Sequence, residues 1–267
     1  MHLGVNIPNY GPGTDPGVLR EWARITEGLG FDLLMVSDHV VVTPDVAVRY
    51  PEPFYEPFTT LAWLAGLTTR VRLGTTVVVL PYRHPLLVAR MAGNLDELSG
   101  GRLVLGVGVG GARQEFEALG VPFARRGQLT DQYLAELREA WGSRRPVPLW
   151  VGGNSEAAIQ RAVRFGATWH PLRASLASLR DTVSSRTLPA LAPRIALRLT
   201  GAPVEDAERP PGTGSIEQIL ADLDELRELG AGTVVLDPYH GDPEETRRPG
   251  VAWRALTTVA THARMAS

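Results

Sequence analysis

The sequence predicts a single (β/α)8 TIM barrel spanning residues 1–267. Three observations carry this reading. Strand-like and helix-like segments alternate from end to end, and such alternation forces parallel strands joined by helical crossovers. The alternation completes eight strand–helix pairs over about 250 residues, the size of a closed barrel. No internal repeat or low-complexity linker divides the chain, so it reads as one domain. An open doubly wound sheet needs fewer strands and carries its glycine-rich turn after the first strand. Here the glycine run follows the fourth.

Each element has a local cause. Residues 2–8 form a short apolar strand, and "NYGPGTDPG" after it is loop. Val18, Trp22, Ile25 and Leu29 recur at helical spacing, and Gly30 stops that helix. The run 31–36 is the second strand, followed by a loop at 43–57 rich in proline and aromatic residues, and then the helix "FTTLAWLAGLTT". Residues 71–80 are the third strand and "PLLVARMAGNLDELSGG" is a helix with a glycine stop. Residues 102–111 form the fourth strand and run into glycines; a broken helical region with Leu129, Tyr133, Leu137 and Trp141 follows. In the second half, strands are expected at 147–153, 167–171, 194–202 and 232–238. Helices are expected at 155–166, at 174–188, from Ser215 along Ile216, Ile219, Leu220, Leu223 and Leu226, and from about Glu244 to the tail.

Composition excludes several chemistries. With 27 basic and 29 acidic residues and no basic stripe, the chain lacks a nucleic-acid footprint. It has no cysteine, which removes disulfides, thiolate catalysis and cysteine-ligated zinc. Every basic residue is Arg, so a lysine Schiff base and a P-loop lysine are impossible. A GC-rich genome accounts for that bias. The opening "MHLGVNIPNY" lacks a charged and apolar leader, and no window reaches the ~18 apolar residues of a spanning helix. A cytoplasmic protein with no membrane partner is expected.

A barrel places its chemistry where strands end. The residues there are Asn6, Ser37, Asp38, His39, Thr75, Thr76, Val77, His84, the glycines of 106–111, Gly152, Gly153, Asn154, His170, Asp237 and His240. Asp38-His39 interrupts an apolar run. An imidazole titrates near neutrality and suits a proton carrier; the plainer reading is an Asp that caps backbone amides beside a packed His. Neighbours on an extended strand point to opposite sides, so the pair cannot address one atom unless the strand has ended. "GVGVGG" matches a dinucleotide fingerprint at Gly106, Gly108 and Gly111, but it follows the wrong strand and lacks a strand-end acid about 20 residues on. Its small residues admit a flat ring or a close backbone, or else reflect crowded strands. In "WVGGNSEAA", the glycines with Asn154 or Ser155 form either an anion site at a helix start or an ordinary N-cap. His39, His170, His240 and Asp237 lack the spacing of a zinc motif, so no metal is expected.

The run "LGTTVVVLPYRHPLLVARMAGNLDELSGGRLVLGVGVGGARQEFEALGVPFARRGQLTDQYL", with "LGFDLLMVSDHVV" and "PLWVGGNSEAAIQRAVRFGATWHP", resembles the luciferase-like monooxygenase superfamily. It is most similar to the bacterial branch that uses the deazaflavin coenzyme F-420. The resemblance covers most of residues 1–172, with a weaker echo at "GTGSIEQILADLDELRELGAGTVVLD". It implies a flavin or deazaflavin on the C-terminal face of the barrel and a non-prolyl cis peptide at Thr76-Val77. It implies that His39 transfers a proton and that Asp38 assists it or contacts the ring. Thr75, Thr76, Val77, Gly106, Gly108, Gly110 and His170 would line the ring, and Gly152, Gly153 and Asn154 would hold the cofactor phosphate.

Three departures qualify the carry-over. Sugar-phosphate dehydrogenases of the superfamily have a glutamate just after the fourth-strand glycines; this chain has Gly111, with Glu115 further along. The family's "GDGWHP" reads "GATWHP", with Ala167 in place of Asp. The usual insertion between helix 4 and strand 5 is shortened to "LREAWGSRRPVPLWVGG", which should open the barrel mouth to a bulky substrate or a partner's lid. The expected function is an F-420-dependent oxidoreductase that moves a hydride to or from an unsaturated small-molecule or peptide-like substrate. An FMN-dependent monooxygenase and a non-catalytic flavin-binding partner protein are the alternatives, and a homodimer is expected from the family.

Overall fold

A computed structural model describes residues 1–142, 147–206 and 208–265. Among them, eight parallel strands form the barrel: β1 (His2–Asn6), β2 (Leu33–Val36), β3 (Arg72–Thr75), β4 (Leu103–Gly108), β5 (Leu149–Gly152), β6 (Thr168–His170), β7 (Arg194–Ala196) and β8 (Thr233–Asp237). The helices are α1 (Pro16–Gly28), α2 (Pro44–Ala47), α3 (Pro57–Ala65), α4 (Pro85–Leu98), α5 (Arg113–Ala118), α6 (Arg126–Trp141), α7 (Glu156–Arg164), α8 (Leu176–Ser185), α9 (Ile216–Glu228) and α10 (Pro249–Met265). Proline opens α1, α2, α3 and α4, where its missing N–H costs nothing. Ser215 and Gln218 close a capping box on α9.

Strand neighbours run β6-β5-β4-β3-β2-β1-β8-β7. The seam between β6 and β7 is closed by single bridges and backbone bonds: Trp169 N–H donates to Ala190 O and Ala192 N–H to Trp169 O, both at 2.9 Å. Alternation along the strands sorts the core. Leu33, Met35, Val104, Trp150, Ala192 and Val235 fill the barrel interior. Leu34, Val36, Leu105 and Val234 belong to the larger cluster between barrel and helices.

Two strands are shorter than their apolar runs suggest. The third stops at Thr75, breaks at Thr76-Val77 and resumes as Val78–Val79 against β4. The seventh gives way after Ala196 to a two-residue ladder, Arg198–Leu199 on Thr213–Gly214. The long loop 43–57 contains the short helix α2. The shortened insertion falls between α6 and β5, and residues 143–146 of it lie outside the described residues.

The break in the third strand explains the glycines of the fourth and fifth. A Cβ on Gly106 would lie 2.0 Å from the Thr75 carbonyl oxygen, one on Gly108 2.6 Å from Val77 Cγ2, and one on Gly152 2.8 Å from Val77 Cγ1. These positions are empty of side chain because neighbouring protein atoms already occupy the space. Gly106→Ala is therefore expected to destabilise by about 1–3 kcal/mol, since a backbone oxygen cannot rotate away. Gly111→Ala, whose Cβ would meet nothing within 4 Å, should leave the urea midpoint unchanged in the same measurement.

Candidate active site at the barrel mouth

His39 follows β2 and faces a carboxylate from α5, the helix beyond β4. Its Nδ1 lies 2.6 Å from Glu115 Oε2. Glu115 is fully buried, and both its oxygens are engaged. Oε1 accepts from Val40 N–H at 2.6 Å and Val41 N–H at 3.1 Å; Oε2 also accepts the Tyr82 hydroxyl at 3.0 Å. Burial works to raise the Glu115 carboxyl, but His39 and the two amides outweigh it and hold it below its usual range. Burial and the Glu115 charge push the Tyr82 phenol well up, so it stays a donor. With Nδ1 committed to Glu115, Nε2 of His39 has no protein partner among the described residues.

Asp38 turns away from that pair. Its carboxylate takes a two-pronged contact from Arg83, at 2.8 Å on each oxygen, and accepts Val79 N–H at 2.9 Å. Burial raises its carboxyl while Arg83 and Val79 oppose the rise. It ties the end of β2 to the resumed third strand, which is the capping part open to it from sequence. Asn9 performs the matching task between the first two loops, donating to Ser37 O and Tyr55 O and accepting Ser37 N–H.

A cleft of about 210 Å³ opens beside the third-strand break. Val77, Val79 and Leu172 give it apolar walls, Gly108, Gly110, Gly152 and Gly153 give it backbone, and Thr76, His170 and Arg194 are its polar members. The Thr76-Val77 peptide is cis, as the resemblance implies. A buried chain of contacts fixes Thr76. Arg194 Nη1 donates to its carbonyl at 3.0 Å and its hydroxyl at 3.2 Å, and Thr76 Oγ1 meets His170 Nε2 at 2.9 Å. Arg194 is paired with Asp237 at 2.8 and 3.1 Å, and Asp237 also takes Arg173 at 3.0 Å and Asn6 at 3.2 Å. Burial pushes Asp237 up, but the two guanidinium groups prevail and hold it below the usual carboxylate range.

His170 is buried neutral. Burial is the main cause that lowers its pKa to about 4, and the nearby Arg194 adds to it. Nδ1–H donates to Ala192 O at 2.5 Å, which leaves Nε2 to accept the Thr76 hydroxyl. A proton-detected titration should show this ring unchanged from pH 8 to 5. The unfolded chain binds a proton there near pH 6.5 and the folded one does not until about 4, so stability falls as pH drops across that window.

The structure brings Thr76, Val77, Gly108, Gly110, Gly152, Gly153 and His170 to one cleft. Thr75 and Gly106 stand behind it, locked together by Thr75 Oγ1–H to Gly106 O at 2.7 Å. Asn154 exchanges hydrogen bonds with Leu172 at 2.8 Å each way, the Gly153 N–H faces His170 O at 3.3 Å, and Ser155 caps α7. Ser155 is the N-cap of α7, while the Asn154 and Gly153 contacts tie the end of β5 to β6 and the loop after it. Asp237 is held by arginines, and no cluster of three or more metal-ligating side chains occurs among the described residues. Sequence reasoning passed over Glu115 as a partner, and over Tyr82, Arg83, Arg173 and Arg194. The signal for Arg194 was an arginine opening an otherwise apolar strand.

The aromatic loop folds over the mouth. Tyr50 stacks on His39 at 5.4 Å and Phe54 meets its edge at 5.3 Å. Tyr10 packs against Tyr50, Phe54 and Tyr239 at 5.0–5.4 Å, with its hydroxyl buried and without a hydrogen-bond partner among the described residues.

The description of luciferase-like monooxygenases matches residues 1–187. A Mycobacterium tuberculosis protein of uncharacterised function is 32% identical over 181 residues, covering 55% of this chain and 63% of that one. Another protein of that organism, provisionally named a coenzyme F-420-dependent oxidoreductase, is 35% identical over 183 residues, covering 66% of this chain and 48% of that one. The match thus spans between about half and just under two thirds of these curated relatives. The oxygenating constituent of 3,6-diketocamphane monooxygenase from Pseudomonas putida, solved with FMN, superposes with a TM-score of 0.74 over 97% of each chain at 15% identity, a likeness of fold. Among the described residues no helix is long and apolar enough to cross a membrane.

Proposed function

Because this chain belongs to the luciferase-like monooxygenase family, we propose that it is an oxidoreductase acting on an unsaturated organic molecule, with coenzyme F-420 as its cofactor. The observation that carries the reading is the buried Glu115 behind His39, 2.6 Å from Nδ1. Glu115 accepts Nδ1–H and so fixes the tautomer, leaving Nε2 as the position that exchanges a proton. Val77, Val79 and Leu172 would flank a planar heterocycle, and among the described residues no charged side chain but Arg194 lines that cleft. Arg194 would stand by the electron-rich edge of such a ring. A flavin or deazaflavin, when bound, supplies the hydride chemistry. The chain's own part is to hold the ring, exclude water with the aromatic loop and move the proton.

The cofactor assignment is supported by the provisional name of one relative and by the sequence resemblance. FMN is the second reading, supported by the ligand of the Pseudomonas putida structure. Titration of purified protein with F-420 and with FMN, followed by fluorescence, tests both. Tight binding of F-420 alone supports the first, and of FMN alone the second. FMN reduced on the protein should then react readily with oxygen, where reduced F-420 should not. Failure to bind either sinks the proposal.

A further inference from the structure

A second cleft lies beyond the ends of β7 and β8, and every residue lining it falls between 197 and 258, outside the part of the chain that the family description matches. Its volume is about 470 Å³, within the range of small-molecule sites. Three arginines reach it: Arg198 from the strand ladder, Arg248 before α10 and Arg254 on α10. None of the three guanidinium groups has a hydrogen-bond or carboxylate partner among the described residues. That is unlike Arg83, Arg161, Arg173, Arg180, Arg186, Arg194 and Arg209, each of which is paired with an acid.

Among the described residues one carboxylate lines the cleft, that of Glu245, and its Oε2 already accepts His240 N–H at 2.7 Å. The His240 imidazole stands beside it with no hydrogen-bond partner among the described residues, and Leu199 and Val251 supply apolar surface, Val251 being 59% exposed. Unpaired cations against one acid leave the cleft electropositive in a chain whose net charge is -2. The cleft stands at the loops after the seventh and eighth strands, a corner that holds phosphate in many barrels.

We propose that this cleft is a second ligand site, separate from the ring cleft, for an organic anion that carries a phosphate or carboxylate on an apolar segment. Arg198, Arg248 and Arg254 would hold the anionic head by charge-assisted hydrogen bonds, with His240 as a further polar contact, and Leu199 and Val251 would cover the segment. Arg173 marks the boundary with the first site, because it bonds Asp237 and the Tyr239 carbonyl just before His240. The proposal goes beyond the cofactor assignment and does not depend on it.

Calorimetric titration of the whole chain with inorganic phosphate and with hexyl phosphate tests it, each with and without saturating F-420 or FMN. Hexyl phosphate should bind with one site and at least about tenfold more tightly than inorganic phosphate, since a few methylenes are buried. The Arg248→Ala/Arg254→Ala variant should lose roughly tenfold or more. Equal affinity for the two probes would mean screened surface charge only and would overturn the proposal, as would unchanged binding when all three arginines are replaced by Ala. Displacement of hexyl phosphate by either cofactor would assign the cleft to the cofactor and overturn it as a separate site. Because these readouts use binding alone, they stand apart from the outcome of the cofactor titration.

Discussion

Glu115→Gln is expected to lower kcat by about 10²-fold, and His39→Ala by about 10²–10⁴-fold, with cofactor affinity unchanged in both. The size follows from hydrogen-bond chemistry. Four donors converge on the Glu115 carboxylate: His39 Nδ1–H and the Tyr82 hydroxyl on one oxygen, Val40 N–H and Val41 N–H on the other. Glutamine has the same shape but one of its ends is an NH2. Whichever way it turns, that end meets donors, so the substitution either strips His39 of its acceptor or leaves two buried amides unpaired. Steady-state turnover at saturating cofactor, with a parallel fluorescence titration, separates the cases. A loss of kcat with intact cofactor binding places Glu115 in the proton path; unchanged kcat removes His39 and Glu115 from the reaction. The pH behaviour has a definite sign. Glu115 is held below its ordinary value by His39 and the amides despite its burial. Its contribution to stability is therefore complete above the unfolded value near 4.3 and is lost only as pH falls through the lower folded value.

The barrel itself was readable because each cause is local. Gly30, Gly100 and Gly101 all sit at positive φ where their helices stop, and the apolar runs end where the strands surface. Reading failed where a contact spans the chain. His39 and Glu115 are 76 residues apart, and nothing in "GARQEFEALG" marks Glu115 as buried rather than solvated on a helix. The sequence showed a glutamate out of its expected place after the fourth strand, and the fold brings it to the imidazole. The glycines of 106–111 were open to a close ring, a close backbone or crowded strands, and Gly106 and Gly108 stand against Thr75 and Val77, an effect of a strand break that periodicity cannot reveal. Asp38 shows the same limit from the other side. Its place at the strand end was legible, but the arginine that takes both its oxygens lies 45 residues on.

Asp237→Ala is expected to destabilise the protein by about 3–5 kcal/mol, the cost of leaving a buried cation without its counter-charge. Arg194 is 7% exposed and Asp237 1%, and Asp237 supplies the charge that lets Arg194 remain ionised inside the barrel. The urea midpoint should fall accordingly. The acid limb of the stability curve should flatten as well. The native Asp237 carboxyl is held below its ordinary value, so its stabilising effect is present above about pH 3.9 and disappears as pH falls through the folded value; the variant lacks that effect throughout. A second variant separates stability from function. Arg194→Met/Asp237→Leu replaces the ion pair by apolar groups of similar bulk and should recover most of the lost stability. It should not recover cofactor binding, because Arg194 is also the donor that holds the Thr76 carbonyl and hydroxyl at the cleft. Recovery of stability with loss of cofactor affinity shows that the pair is retained to shape the site. Recovery of both would show that the packing of β3 alone keeps Thr76 in place.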